Sequence, residues 1–278
     1  MRIIVPMAGY GDRFVNAGYT DPKPLIKVRG KHMFEWVVDM YDKDDEFVFI
    51  CNNDHICNTD MSQVLKSYVK NCTIHIIPPH KLGPVYTVLM GAYSQIYEEE
   101  PIIISYCDNP FTWDYNAFKE FAKDKDGVLV SNKGFHPHSL SKTLMAHSLT
   151  DEDGRVLEVK EKACYTDNNL NEHASAGVYY FKHGWYISRY FKALMQGRLH
   201  YNNEYYVTLV YNLLIKDGLQ VYSYLNDQVM AFGTPDEIKN FEAWQTILDE
   251  KQVKNEQELI QCYNYWKRLK HDHSSTQR

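Results

Sequence analysis

The segment Arg2–Phe14 reads R-I-I-V-P-M-A-G-Y-G-D-R-F, and D-P-K-P-L follows at residues 21–25. An apolar run followed at once by two glycines predicts a buried strand, Arg2–Met7, that turns into a loop. Glycine lets backbone N–H groups approach an anion closely, and Arg13 and Lys23 add positive charge beside them. The segment therefore predicts a loop that holds a polyphosphate. The residues expected to bind the nucleotide in this loop are Met7, Ala8, Gly9 and Gly11.

Two common phosphate-binding motifs do not match this segment. The dinucleotide-binding fingerprint needs a third glycine three positions after the second, and Phe14 stands there. The P-loop needs Gly-Lys followed by serine or threonine, whereas Gly30-Lys31 is followed by His32. A plain strand-to-helix turn would explain the two glycines, but it leaves Arg13 and the P-K-P-L segment unexplained.

Apolar runs alternate with segments of helical spacing through the first half of the chain. After Arg2–Met7, strands are expected at residues 46–51, 72–77, 101–106 and 127–131. Helices are expected at residues 32–41, 60–69, 84–97 and 115–122. This alternation predicts an α/β fold with a doubly wound, mostly parallel, Rossmann-like sheet, in which ligands bind beyond the carboxyl ends of the strands.

The second half of the chain predicts a smaller α+β part. Strands at 144–148 and 156–160 flank a turn sequence at 151–154, which predicts a hairpin. Further strands are expected at 177–181, 219–224 and 229–232. Helices are expected at 186–195, at 205–215, from a capping box that begins at Thr234, and at 256–269.

Composition argues against several classes of protein. The chain has 278 residues and a net charge of −6 with no long basic block, so nucleic-acid binding is not indicated. No apolar run approaches the roughly 20 residues of a membrane span, and no signal peptide follows Met1. We therefore expect a cytoplasmic protein without a membrane partner. The six cysteines lack C-x-x-C spacing, which argues against a zinc or thioredoxin-like site.

The combination of G-x-G-x-R-F, P-K-P-L and Asp108-Asn109 resembles the nucleotidylyltransferases, the NDP-sugar pyrophosphorylase superfamily. These enzymes join an NTP to a phosphorylated small molecule and release pyrophosphate, on a nucleotidyltransferase fold of the GT-A type. The resemblance implies a nucleotide-binding half, 1–131, and an acceptor-binding half of the same compact domain, 132–250, followed by a C-terminal helix and tail, 251–278. The resemblance does not determine the oligomeric state, and a homo-oligomer is compatible with it.

The resemblance also implies roles for charged residues. Arg13 is expected to hold the β- and γ-phosphates, Lys23 to steady the α-phosphate and the transition state, and Lys162 to contact the phosphate of the acceptor. Asp108 follows a buried strand and is expected to bind the nucleotide and Mg²⁺ or Mn²⁺, since Mg²⁺ takes few carboxylates beside phosphate oxygens and water. The alternatives are a solvated surface charge for Arg13 and for Lys23, a strand-edge charge for Lys162, and a turn or N-cap residue for Asp108.

Further residues match the family pattern in the segments that contact the base and the acceptor. Gly83 lies in the expected base-reading segment. Gly177, in a Ser-Ala-Gly strand, and Glu204, before a helix, are expected to contact the acceptor, although capping and core packing would explain them equally well. His136 and His138 of the loop G-F-H-P-H-S-L are also expected to contact the acceptor or its phosphate. This loop resembles one in products of capsule and lipopolysaccharide genes.

Two departures from the family pattern bear on the metal and the base. Family members usually carry a second metal aspartate two residues before the glycine of G-T-P, where this chain has Ala231. Glu161, Asp227 or a phosphate would then compensate, or Asp108 alone would hold the metal. The glutamine of many thymidylyl and uridylyl members is absent before Gly83. This leaves cytosine as the preferred base and favours the cytidylyltransferases of capsule modification, including the phosphoglutamine and phosphocholine types.

The expected function is thus the transfer of an NMP, preferably CMP from CTP, to a phosphorylated small molecule used in surface polysaccharide synthesis. The alternatives are a sugar-1-phosphate nucleotidylyltransferase that uses another NTP, a GT-A glycosyltransferase, and a nucleotide-binding regulatory module without turnover. The lack of a D-x-D motif at Asp108 argues against the glycosyltransferase. The missing aspartate at Ala231 is the main support for the regulatory module.

Overall fold

The computed structural model describes residues 1–92, 94–134, 136 and 145–251, with side chains through residue 246. The strands are β1 (Arg2–Met7), β2 (Lys27–Val28), β3 (Lys31–His32), β4 (Glu46–Asn52), β5 (Cys72–Ile77), β6 (Ile102–Ser105), β7 (Phe111–Thr112), β8 (Gly127–Asn132), β9 (His147–Thr150), β10 (Val156–Lys160), β11 (His173–Phe181), β12 (Val221–Leu225) and β13 (Gln228–Val229). The α-helices are α1 (Asp12–Asn16), α2 (Met33–Val38), α3 (Asn53–Asn58), α4 (Met61–Tyr68), α5 (Pro84–Gly91), α6 (Tyr115–Ala122), α7 (Gly184–Gln196), α8 (Val207–Lys216) and α9 (Pro235–Lys251).

One mixed sheet forms the centre of the molecule. Strands β5, β4, β1 and β6 lie side by side in that order and are parallel. Strand β11 pairs antiparallel with β6 on one side and with β8 on the other, and β12 then pairs parallel with β8. The hairpin of β9 and β10 joins the sheet through the first residues of β11. The prediction of a mostly parallel, Rossmann-like sheet is confirmed.

Helices cover both faces of this sheet. Ile3 and Val5 of β1 belong to a buried cluster with α2, α4 and α6, whereas Ile4 belongs to a cluster with α5, α7 and α8. A strand buried on both faces explains why β1 is apolar without alternation. A third cluster packs Phe14, next to the glycine loop, against Phe232 and Phe241, and so docks α9 beside that loop. Among the described helices, none combines the length and the apolar character needed to cross a membrane.

Several predicted elements differ from the observed ones. The helix expected at 84–97 ends at Gly91, and a 3₁₀ turn, Gln95–Tyr97, follows it; glycine is a poor residue for helix continuation. The first strand of the hairpin is His147–Thr150 rather than 144–148. The strand expected at 229–232 ends at Val229. The helix expected at 256–269 lies outside the described residues.

The residues after β13 contact the end of β6 instead of extending a strand. Met230 N–H donates to Pro110 O and Phe232 N–H donates to Asp108 O, each at 2.7 Å. These two hydrogen bonds hold the G-T-P segment and the start of α9 against Asp108, at the carboxyl edge of the sheet.

Candidate active site

A cavity of about 460 Å³ opens at the carboxyl ends of β1 and β6. Both halves of the chain contribute to its wall. Most of the residues predicted from the sequence lie together there: Met7, Gly9, Gly11, Arg13, Lys23, Gly83, Asp108, Lys162, Gly177 and Glu204. We call this space the site cavity.

The glycine loop and the P-K-P-L segment touch each other at one point of the site cavity. Gly11 has a φ of 69°, a left-handed conformation that favours glycine, and it precedes the first residue of α1. A Cβ on Gly11 would lie 3.1 Å from Cβ of Lys23. The absence of a side chain at Gly11 therefore lets Lys23 pass close to the loop. Arg13, on α1, is exposed and lines the same cavity.

Lys23 and Asp108 form an ion pair across the site cavity. The Lys23 ammonium donates to Oδ2 of Asp108, and each side chain is only about one-fifth exposed, 20% and 18%. Burial alone would lower the pKa of Lys23, but the neighbouring acidic groups, of which Asp108 has the largest effect, together outweigh burial and the pKa is raised. A charged lysine beside a carboxylate and a glycine loop suits a site for phosphate and a hard divalent cation, because Mg²⁺ combines few carboxylates with phosphate oxygens.

Glu237 is a carboxylate of this site that sequence reasoning missed. It lies in the first turn of α9, is 2% exposed, and lines the site cavity. Its charge also raises the pKa of Lys23. The sequence contains one signal, the capping-box pattern at Thr234, but that pattern by itself indicates only a helix start. The proximity of Glu237 to Asp108 depends on how α9 docks, which local sequence does not reveal.

Another part of the wall of the site cavity follows directly after β10, with Glu161 and Lys162. The Thr208 hydroxyl donates to Glu161. Burial raises the pKa of Glu161, with opposing contributions from Thr208 and Lys162. Lys162 has a φ of 50° and places its ammonium 5.6 Å from the ring centre of Tyr206. Glu161 and Lys162 thus line the same cavity as the glycine loop.

Gly83 lies on the cavity wall at the point where the start of α5 approaches the segment that carries Glu204. Gly83 has a φ of 85°, and a Cβ there would lie 2.8 Å from both N and O of Tyr205. Tyr205 N–H donates to Leu82 O at 2.9 Å and Val85 N–H donates to Tyr205 O at 3.1 Å. The start of α5 and the segment before α8 are therefore in backbone contact, and only glycine fits between them.

His80 and Thr87 support this segment and line the cavity beside it. Leu82 N–H donates to Nδ1 of His80 at 3.1 Å, so the proton lies on Nε2, which is 3.0 Å from the Thr87 hydroxyl. The Thr87 hydroxyl in turn donates to Gly83 O at 3.3 Å. Burial lowers the pKa of His80, which keeps the ring neutral. Nothing in the local sequence pattern had pointed to Thr87.

Strand β11 is irregular at Gly177, which lines the site cavity. The pairing of β11 with β8 shifts between Ser175 and Val178, and Gly177 has a φ of 81°. Its N–H donates to Ser175 Oγ at 3.3 Å, and Ser175 Oγ lies 2.9 Å from the hydroxyl of Tyr179. The hydroxyl groups of Ser175 and Tyr179 belong to the cavity wall.

Three predicted residues are not among those on the wall. Ala8 is buried behind the loop, and its carbonyl accepts a hydrogen bond from Asn52 Nδ2 at 3.2 Å. His136 is buried, and its Nδ1 accepts from Val229 N–H at 3.3 Å; the described wall residues do not include it. His138 lies outside the described residues.

A second polar cluster, outside the site cavity, holds the chain that follows Lys162. The ligand atoms of His147, Cys164 and Glu172 lie within 4.8 Å of one another. His147 Nδ1 is 3.1 Å from Ala163 O, and the Glu172 carboxylate accepts from Tyr165 N–H at 2.9 Å. Backbone groups thus already engage two of the three side chains, and the cluster fixes the course of this loop.

Comparisons with known proteins agree with this geometry. The model of the MobA-like NTP transferase domain matches residues 3–161, more than half of the chain. Bifunctional protein GlmU from Thermosipho africanus is 24% identical over 218 residues, or 75% of this chain. The chain spans only 42% of the length of that relative.

Solved structures share the fold. A nucleoside-diphosphate-sugar pyrophosphorylase from Vibrio cholerae matches with a TM-score of 0.70 at 23% identity, over 86% of this chain and 98% of its own. An inositol-1-phosphate CTP transferase from T. maritima matches with a TM-score of 0.65 at 15% identity, over 87% of this chain and 94% of its own. The fold and the matched domain lead to one conclusion. The chain belongs to the family of the MobA-like NTP transferase domain.

Proposed function

We propose that the chain transfers CMP from CTP to a phosphorylated small molecule and releases pyrophosphate. The observation that carries this proposal is the Lys23–Asp108 ion pair, which lies in one cavity with the glycine loop of the first half and Lys162 of the second. Two anionic reactants need cations between them, and this arrangement provides cations on both sides. The capsule or surface-polysaccharide role and a cytoplasmic location belong to the same proposal.

The proposed reaction needs positioning and charge neutralisation more than covalent chemistry. Backbone N–H groups of the glycine loop and Arg13 would hold the β- and γ-phosphates, and Lys23 would contact the α-phosphate. Lys162 would hold the acceptor phosphate, whose oxygen attacks the α-phosphorus while pyrophosphate leaves on the opposite side. A divalent cation, bound by Asp108 and phosphate oxygens, would neutralise charge that develops on the phosphates.

The preference for cytosine is supported by the segment before Gly83. His80 and Thr87 line the cavity where the family reads the base, and the glutamine typical of thymidylyl and uridylyl members is absent. The T. maritima protein of the same fold is a CTP transferase by name. A second candidate, a sugar-1-phosphate nucleotidylyltransferase with another NTP, is favoured by the match to the Vibrio cholerae NDP-sugar pyrophosphorylase.

A pyrophosphate-release assay tests both candidates. The protein is incubated with ATP, GTP, CTP, UTP or dTTP, together with Mg²⁺ and a panel of phosphorylated sugars, polyols, choline and amino-acid amides. Pyrophosphate release that occurs with CTP and an acceptor, but with none of the other nucleotides, supports the proposal. Pyrophosphate release with UTP or dTTP and a sugar phosphate supports the second candidate. NTP binding without release on any acceptor of the panel would favour the regulatory module instead.

Asp108→Asn should reduce turnover by about a hundredfold or more while NTP binding and thermal unfolding change little, since it removes a charge that neutralises the metal and Lys23. Asp12→Asn is the matched control, because Asp12 also lines the cavity but pairs with Lys81 at its exposed rim. Full turnover in Asp108→Asn would refute the metal assignment.

A further inference from the structure

We propose that Glu237 supplies the second protein carboxylate to the divalent cation that accompanies the NTP. This inference rests on the proposed function and adds a residue to its site. It accounts for Ala231, at the position where the family usually has an aspartate.

The position of Glu237 is set by the start of α9. Pro235 is the first helical residue and Glu237 the third, and Glu237 N–H donates to Thr234 Oγ1 at 3.2 Å. This cap holds the backbone of Glu237 at the cavity, while the side chain is 2% exposed. Buried carboxylates in proteins are hydrogen-bonded, paired with a cationic group or bound to a metal.

Glu237 and Asp108 approach each other over Gly233. A Cβ on Gly233 would lie 3.0 Å from Oε2 of Glu237 and 3.5 Å from Oδ2 of Asp108. Two carboxylate oxygens therefore face the same small space, and any side chain at position 233 would fill it. A hard cation with phosphate and water ligands requires such a space, lined by oxygen atoms.

A cationic group already lies at this place. The Lys23 ammonium contacts Asp108 and interacts electrostatically with Glu237. The space between the two carboxylates thus accepts positive charge. Binding of a divalent cation there would release Lys23 from Asp108 and let its ammonium turn to the α-phosphate, which is the role assigned to it above.

The other two carboxylates considered for this role fit less well. Glu161 accepts from Thr208 and interacts with Lys162, on the acceptor side of the cavity. Asp227 is exposed and is not among the described wall residues. Of these three carboxylates, Glu237 is the one that lies beside Asp108 at Gly233 and whose charge acts on Lys23.

Binding of Mn²⁺, followed by its electron paramagnetic resonance signal, tests the proposal without turnover. The full chain is titrated with Mn²⁺ in the presence of a non-hydrolysable α,β-methylene analogue of CTP. Glu237→Gln should weaken Mn²⁺ binding by about tenfold or more. Glutamine keeps the volume of the side chain and the backbone N–H that donates to Thr234 Oγ1, so the fold should be retained. Affinity for the analogue without metal should stay the same or rise, since a negative charge is lost.

Glu204→Gln is the matched control, because Glu204 lies on the acceptor side of the same cavity, and it should leave Mn²⁺ affinity within about twofold. Glu237→Asp, which keeps the charge on a shorter side chain, should give an intermediate affinity.

Unchanged Mn²⁺ affinity in Glu237→Gln, together with a loss in Asp108→Asn, would overturn the proposal and leave the proposed function standing. A wild-type chain that binds neither the CTP analogue nor those of the other NTPs would refute the proposed function, and this inference with it.

Discussion

Lys23 is the residue on which the two sequence motifs of the candidate site converge. Its stem packs against Gly11 of the glycine loop, and its ammonium pairs with Asp108. The ammonium also lies 5.6 Å from the ring centre of Phe14, the residue that ruled out the dinucleotide fingerprint. The aromatic ring of Phe14 thus packs beside the Lys23 ammonium. A third glycine at this position would instead allow the helix to pack closely against the strand.

Lys23→Met should reduce turnover by about 10²–10³-fold, because it removes a charge that stabilises the transition state while keeping an aliphatic stem against Gly11. Pyrophosphate release at saturating NTP measures the effect. Lys27→Met is the matched control, since Lys27 is an exposed lysine on β2, four residues along the chain. Equal activities of the two variants would contradict the role of Lys23.

Sequence reasoning found the residues of the cavity wall that stand in motifs, and it missed Glu237 and Thr87. Arg13, Lys23 and Asp108 stand in recognisable patterns next to a strand end, so their meeting follows from parallel-sheet geometry. Glu237 and Thr87 could not be found in this way. Their places depend on how helices α9 and α5 dock, and docking is decided by packing between distant parts of the chain.

At the scale of elements, the contact between the start of α5 and the segment before α8 joins two parts of the cavity wall, one with Gly83 and one with Glu204. Gly83 is the point of closest approach, since its missing Cβ leaves room for the backbone of Tyr205. The sequence predicted both helices but not their contact. Contacts of this kind between loop segments have no periodic sequence pattern, so they cannot be predicted from the local sequence.

Gly83→Ala should destabilise the protein more than Gly30→Ala, although both glycines have nearly the same φ, 85° and 82°. Gly30 has nothing within 4 Å of an added Cβ, so alanine costs only the conformational strain, about 1 kcal/mol. Alanine at position 83 adds a clash with Tyr205, for a total of about 3 kcal/mol. Urea unfolding measures both free energies. Equal losses would show that the contact with Tyr205 does not constrain the fold.

At the scale of the whole molecule, buried histidines link stability to pH. Burial lowers the pKa of five histidines from the ordinary value of 6.5: His55, His80, His136, His147 and His173. Below pH 6.5 the unfolded chain binds protons that the folded chain does not, so these groups favour unfolding as the pH falls. Glu161, whose pKa burial raises, acts in the opposite direction.

The free energy of unfolding should therefore fall between about pH 7.5 and about pH 5.5, with the loss concentrated below the ordinary histidine pKa. His147→Gln should lose less stability over this interval than the wild type, because one group with a lowered pKa is gone. Urea unfolding at several pH values gives both curves. Parallel curves would indicate that His147 titrates alike in the folded and unfolded chains.

The insertion of β11 between β6 and β8 has a mechanical consequence. A strand from the later part of the chain is hydrogen-bonded on both sides to strands from the earlier part. Hinge opening between the two parts would break this ladder, so we expect reactants to enter and leave by local loop movement. The distance between the glycine loop and Lys162 is then fixed by the sheet. Under the proposed function, this fixed distance would favour acceptors whose length from the phosphate to the opposite end matches it.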